Sequence, residues 1–334
     1  MTVALTPPAR ARPEQDSPRK IVAPVSASDR VFRAVLRGAG ITVLAITGMI
    51  LVFLLVRAAY ALRADGIHFF TQTQWLLQPG QFGIAAILPD GMIIAAIAMI
   101  VAVPVALATA LFISEYAPAV LRKPLIAMID LMAAIPSIIY GLWGRFFLMP
   151  RIIGTSGWLA AHLGVVPPLK ATGQVSASTF ASSPFIAGLV VSLMAIPIIT
   201  SLSREVFSQA PQGEREAAYA LGSTRWGMIR TVVMPFGRAG VIGASMLGLG
   251  RALGETIAIA LIIEPAFLVN WHILQSGGNS VAAFIAISFS EAGKLGLSGL
   301  MGAGLVLFTI TLIVNSLASV VIGRSRSGSA TAAD

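Results

Sequence analysis

Apolar runs of about twenty residues, nearly free of charge, constrain this chain more than any other feature. That length matches the hydrocarbon core of a bilayer crossed as a helix. Six such runs are read near residues 39–60, 84–113, 124–149, 184–202, 239–263 and 300–322. Within lipid a segment must satisfy its own backbone hydrogen bonds, so runs of this length predict helices. Composition agrees, since 11% of the 334 residues are charged and 56% are hydrophobic. A soluble domain carries about 25% charged residues. The expected fold class is all-α integral membrane, with six transmembrane helices.

Six crossings put both termini on one side, and charge selects which. Of the 23 Lys and Arg residues, sixteen fall in the two tails and the loops expected to share their side. Six fall in the opposite loops and adjoining span ends, and Arg251 lies inside a span. The positive-inside rule then makes both termini cytoplasmic and accounts for the net charge of +9 without nucleic acid. Residues 1–37 read as a disordered basic tail with a short helix near 29–37, and 323–334 as a second disordered tail. The run 39–60 is longer than a signal peptide's apolar core and reads as a retained anchor. Residues 61–83, 150–183 and 264–297 are expected outside loops, the last with an apolar piece at 281–289 too short to span. His68 reads as a surface residue. No cysteine is present and the three His are scattered, which argues against disulfides and a thiolate or His-rich metal site.

One charged stretch interrupts the apolar pattern, Glu214 to Pro235. Pro211 and Gly213 break any incoming helix, and Glu214 and Glu216 suit a first helical turn. Ala217, Ala218 and Ala220 favour helix, and Gly222 is the expected stop. A second short helix is expected from Ser223 or Thr224 to Met234, closed by Pro235. This island resembles the EAA loop of ABC-importer permeases. The matching positions are Glu216, Ala217, Ala218 and Gly222, followed by Val232, Met234 and Pro235. In that family the loop docks into a cytoplasmic ATPase and carries its motion to the membrane, so the resemblance implies the same here. The plainer alternative is an ordinary amphipathic cytoplasmic loop.

The spans carry chemistry of their own. Pro104, Pro136 and Pro197 each free a carbonyl one turn earlier, as kinks around a pathway or as packing features. In the fifth span small residues recur at every fourth position: Gly240, Ala244, Gly248, Ala252, Thr256 and Ala260. Such a ridge admits a neighbouring helix closely. Arg251 and Glu255, four residues apart, are expected on one helix face beside it, with Arg251 near mid-membrane. A central arginine costs about 2.5–3.5 kcal/mol on insertion scales and should face protein or water. The pair reads as the charged centre of a transport pathway, or alternatively as a structural ion pair.

A second resemblance concerns the substrate. Gly250-Arg251-Ala252-Leu253-Gly254-Glu255-Thr256 is similar to the RALGET segment of bacterial phosphate-specific ABC permeases. Phe82-Gly83, Ser114-Glu115-Tyr116-Ala117 and Ile135-Pro136-Ser137-Ile138-Ile139-Tyr140-Gly141 also match that family. Ile257-Ala258-Ile259 after the RALGET segment favours its PstC-type subunit over the PstA type, whereas Asp90-Gly91-Met92 departs from its usual pattern. The resemblance implies a type I ABC-importer permease fold, with a MetI-like core in spans two to six and the permease domain at 82–322. The first helix and outside loop would occupy 38–81. It implies a bacterial cytoplasmic-membrane location and phosphate as substrate. Its implied partners are a second, PstA-like permease subunit, two PstB-like ATPase subunits and an external PstS-like binding protein. The chain itself has no P-loop pattern, and neither an enzymatic activity nor a cofactor is implied. Rival readings are a permease for molybdate or sulfate and an ion-coupled secondary carrier.

Overall fold

The computed structural model describes residues 26–76, 81–173, 175–267 and 269–326. The chain falls into two units, residues 1–50 and 51–334. Helix α1, Ala27–Asp65, begins in the first and ends in the second. Its part within the first unit presents Val31, Leu36, Ile41 and Leu44 outward, the surface of a helix made for lipid. The short helix expected near 29–37 is present, but it is the start of α1 and not a separate element of a tail. Apolar neighbours let the helix propagate through the basic positions. Residues 1–25, the rest of that tail, lie outside the described residues.

After α1 come a helical turn α2, His68–Thr71, and a two-residue antiparallel ladder, β1 Trp75–Leu76 with β2 Gln81–Phe82. His68 is exposed, as expected. Trp75 is ringed edge-on by Phe69, Phe82 and Phe284, which makes a small aromatic core at this end of the second unit.

Helix α3 spans Leu88–Leu111. Pro89 occupies the first turn, where its missing N–H would have had no partner. Pro104 lies within the helix, which runs on to a π-turn at Phe112–Tyr116. Ala95, Ala98, Ala102, Ala106 and Ala110 form a buried stripe along α3 facing α7, Pro184–Ser208. Across that seam a Cβ on Gly188 would come within 2.6 Å of Ile97, so the two helices touch almost backbone to backbone. Ile94, Ile186, Val190, Val191 and Met194 fill the core around it.

The third expected span is corrected. Helix α4, Ala119–Ala134, stops at Ile135-Pro136 and is followed by α5, Ser137–Trp143, at a bend of 90°. A π-turn at Gly144–Leu148 leads into α6, Met149–Leu163, so the first part of the expected 150–183 loop, through Leu163, is helix. Pro136 cannot donate to Met132, and the Tyr140 hydroxyl takes that carbonyl instead at 2.8 Å. One turn of chain therefore supplies both the break and the group that satisfies it.

Then follow α8 Gln212–Ala220, α9 Arg225–Met228, α10 Met234–Gly254, α11 Ile257–Ile262, α12 Val281–Ser288 and α13 Lys294–Arg326. The expected C-terminal tail is likewise corrected at 323–326, which prolong α13, while 327–334 lie outside the described residues. Among the described residues five helices are long and apolar enough to cross a membrane, and six segments if the bent pair is one crossing.

Candidate functional site

The polar island is built first. Helix α8 starts at Gln212, with Pro211 as N-cap, so Gly213 is inside the helix and only Pro211 stops the incoming chain. At its far end the Gly222 N–H bonds the Tyr219 carbonyl at 2.9 Å and the Ser223 N–H bonds Ala218 at 3.1 Å. That is a Schellman ending, and Gly222 supplies its left-handed residue at φ +82°. Thr224 then caps α9 by accepting from the Gly227 N–H. Pro235 does not close that helix. A π-turn at Ile229–Val233 widens the coil just before it, and α10 continues with Pro235 in its first turn. Arg225–Gly254 thus forms one helix of 30 residues.

The island is seated by its apolar side. Ala218, Met228, Ile229 and Val233 pack with Phe207 and Ala110, and Val232 lies against the same cluster. Glu216, Ala217, Gly222 and Pro235 remain exposed, beside uncovered Tyr219, Leu221 and Trp226. Uncovered large apolar side chains grouped on a polar element mark a docking surface.

An ion pair that sequence reasoning missed locks α8 in place. Arg215 reaches both carboxylate oxygens of buried Glu115, at 2.8 and 2.9 Å. Its remaining donors go to the Phe207 and Ala210 carbonyls at and beyond the end of α7. It is the one ion pair closer than 4 Å among the described residues. The two partners are 100 residues apart, so only the Ser-Glu-Tyr-Ala match hinted at Glu115.

The second part of the site is a broken helix. The small-residue ridge holds through Gly240, Ala244, Gly248 and Ala252, where Gly240 meets Val206 and Gly248 meets Ile199 of α7. It then ends, because Glu255 is extended and Thr256 precedes a new helix. Thr256 and Ala260 therefore leave the ridge. The shared face expected for Arg251 and Glu255 is overturned for the same reason, and no salt bridge joins them. Glu255 is buried and accepts from the Ala258 N–H at 3.3 Å. A carboxylate there caps α11 and suits the positive end of its dipole. Arg251 is exposed in an open groove of about 530 Å³ with Ile198, Leu247, Thr311 and Asn315.

The two short half-helices pack on each other. A Cβ on Gly141 of α5 would come within 2.9 Å of the Ala258 backbone of α11. Arg145, in the π-turn after α5, donates to the Ile262 carbonyl at 3.4 Å and to Ser182 at 3.1 Å. A cation at a helix C-terminus offsets its partial negative charge. The bends at 135–136 and 255–256 are thus braced against each other near Arg251 and Tyr140. Helix breaks of this kind are tolerated at membrane depth where the freed backbone is buried in protein or lines a cavity.

At the opposite end Asp90 was read only as a departure from a pattern. It is fully buried and accepts the Asn270 and Asn279 N–H groups at 3.0 and 3.1 Å. Asn270 in turn donates to the Gln275 and Gly277 carbonyls. The loop after α11 is therefore pinned to the start of α3. The apolar piece at 281–289 is helix α12, capped by Ser280 and packed with the aromatic core through Phe284.

Residues 102–327 match the family described as binding-protein-dependent transport system inner membrane component. The phosphate transport system permease protein PstC 2 of Mycobacterium tuberculosis is 41% identical over 309 residues, covering 91% of this chain and 95% of the relative. The phosphate transport system permease protein PstC of Haemophilus influenzae is 40% identical over 274 residues, covering 82% and 86%. Among solved structures, a chain of a bacterial ABC transporter involved in import of the acidic polysaccharide alginate shares the fold. Its TM-score is 0.54 at 14% identity, over 88% of this chain and 99% of that one.

Proposed function

The chain belongs to the binding-protein-dependent transport system inner membrane component family, and from this premise we infer a permease subunit of an ATP-driven phosphate importer. The observation that carries the substrate is the 41% identity to a PstC phosphate permease across nearly the whole chain. It is a multi-pass membrane protein that works with a second permease, an ATPase and a binding protein. In finer detail we assign PstA-like, PstB-like and PstS-like partners, with two copies of the ATPase. We take 82–322 as the permease domain and place both termini in the cytoplasm of a bacterial inner membrane.

Arg251 is the residue we assign to the pathway. It lies exposed in a groove where a planar, permanently charged fork can meet phosphate oxygens. Glu216, Ala217, Ala218 and Gly222 belong to the ATPase-docking island, with Val232 and Pro235 joining it to α10. Co-expression with the three partners in cells lacking their own phosphate uptake is expected to restore ATP-dependent phosphate uptake. Uptake of sulfate or molybdate instead, or uptake without the ATPase, would overturn the assignment.

Two further outcomes follow from the same reading. Reporter fusions at Gly173 and Asn279 are expected outside and a fusion at Gly222 inside. An external signal at Gly222 removes the docking role. Gly222→Val forces a β-branched residue to φ +82°, a conformation costing at least about 1–2 kcal/mol for any L side chain. Nothing lies within 4 Å of the added Cβ, so the effect is on the turn and not on packing. Insertion should survive while ATPase co-purification and uptake both drop; unchanged values for both would mean that the turn is not used in docking.

A further inference from the structure

Four arginines gather between the island and the ends of α3, α4 and α7. A cavity of about 510 Å³ there is lined by Arg122, Arg204, Arg215 and Arg225, with Glu115 and Glu216. Arg215 and Glu115 neutralise each other through two short hydrogen bonds. That leaves three guanidinium groups against Glu216, and none of the three has a carboxylate within 4 Å among the described residues. Arg122 donates one hydrogen bond, to the Ser114 carbonyl, and Arg225 lies over the Tyr116 ring at 5.0 Å. Arg204 has no hydrogen-bond partner among the described residues. Like charges held around one cavity repel unless an anion joins them.

We propose that this cavity binds a phosphate-type oxyanion, which bridges Arg122 of α4, Arg204 of α7 and Arg225 of α9. Guanidinium forks match tetrahedral oxyanions in geometry as well as charge, and the Tyr219 hydroxyl in the lining offers a further donor. The anion can come from inorganic phosphate or from an anionic lipid headgroup. Bound there, it ties the island to the spans that flank it. On the functional reading above, inorganic phosphate in this cavity would be the transported product acting back on the coupling element.

The test uses the assembled complex in nanodiscs, with the external binding protein omitted. The permease carries Arg251→Gln to remove the groove as a competing site. Equilibrium binding of radiolabelled inorganic phosphate is measured with and without Arg122→Gln/Arg204→Gln, in discs of phosphatidylcholine or phosphatidylglycerol. Losing a charge-assisted hydrogen bond should weaken binding roughly tenfold or more. Arginine-dependent phosphate binding in both kinds of disc identifies the free anion as the ligand. Arginine-dependent retention of phosphatidylglycerol that competes with phosphate identifies the headgroup. If neither phosphate binding nor lipid retention depends on the arginines, the proposal falls. If the double substitution only releases the ATPase, the cavity holds an acidic side chain of that partner, and the proposal also falls. Arg204→Gln alone is measured alongside, with size-exclusion profiles of each complex, to keep misfolding apart from lost binding. Absence of phosphate uptake by the unaltered complex would instead count against the functional reading, whatever this cavity binds.

Discussion

Replacing Arg215 by glutamine is expected to uncouple transport more completely than any other single change in the polar island. The substitution strands the Glu115 carboxylate in a buried position and removes the donors that hold the Phe207 and Ala210 carbonyls. Breaking a buried pair from one side costs about 3–5 kcal/mol, most of it from the charge left without a partner. The loss falls on the seat of α8 at the ends of α3 and α7, and not on the small-residue seams between the spans. The complex should therefore still insert, lose thermal stability, release its ATPase and transport phosphate at a small fraction of the parental rate. Glu115→Gln should act in the same direction. The double variant, with no stranded charge, should recover part of the stability lost in either single variant. Single variants that melt, assemble and transport like the parent would show that the pair does not seat the island.

The second large effect is expected at the break in the fifth span. Arg251→Gln keeps an apolar stem and a polar end on an exposed side chain that has no ion-pair partner, so assembly should be intact. Phosphate uptake should fall by at least roughly tenfold, the worth of one charge-assisted contact. Glu255 needs two substitutions, because the structure gives it a second duty. Glu255→Gln retains an oxygen that can accept from Ala258 while removing the charge. Glu255→Ala removes the cap as well, a loss of about 0.5–2 kcal/mol at a helix start. Uptake lost in both variants with assembly intact makes the charge functional. Normal uptake in the glutamine variant, with failure only in the alanine variant, makes Glu255 a cap and nothing more. Normal uptake in Arg251→Gln would remove Arg251 from the pathway.

Much of this architecture was legible in local sequence because lipid imposes local rules. Apolar run length located the crossings, and glycine at position 222 marked the helix stop that its φ of +82° requires. What escaped was set by partners distant in sequence. Glu255 sits in a segment with no proline and good helical spacing, yet the helix breaks there. Tertiary packing overrides propensity, since α11 finds its place against α5 through Gly141. Asp90 looked anomalous until Asn270 and Asn279 supplied its hydrogen bonds. Pro235 was read as a stop because a π-turn leaves no compositional mark. The alanine stripe of α3 follows the same small-residue logic as the ridge of α10.

On the docking role proposed above, the single helix from Arg225 to Gly254 makes the island and the membrane interior two ends of one lever. Thirty residues of helix measure about 45 Å. A rod of that length swung by about 5° from its docked end carries the other end through about 4 Å. Its far tip is Gly254, three residues past Arg251, and the chain changes direction immediately beyond it. On that role the bend at 255–256 is a knuckle, where a stroke delivered at the island is turned sideways into the groove.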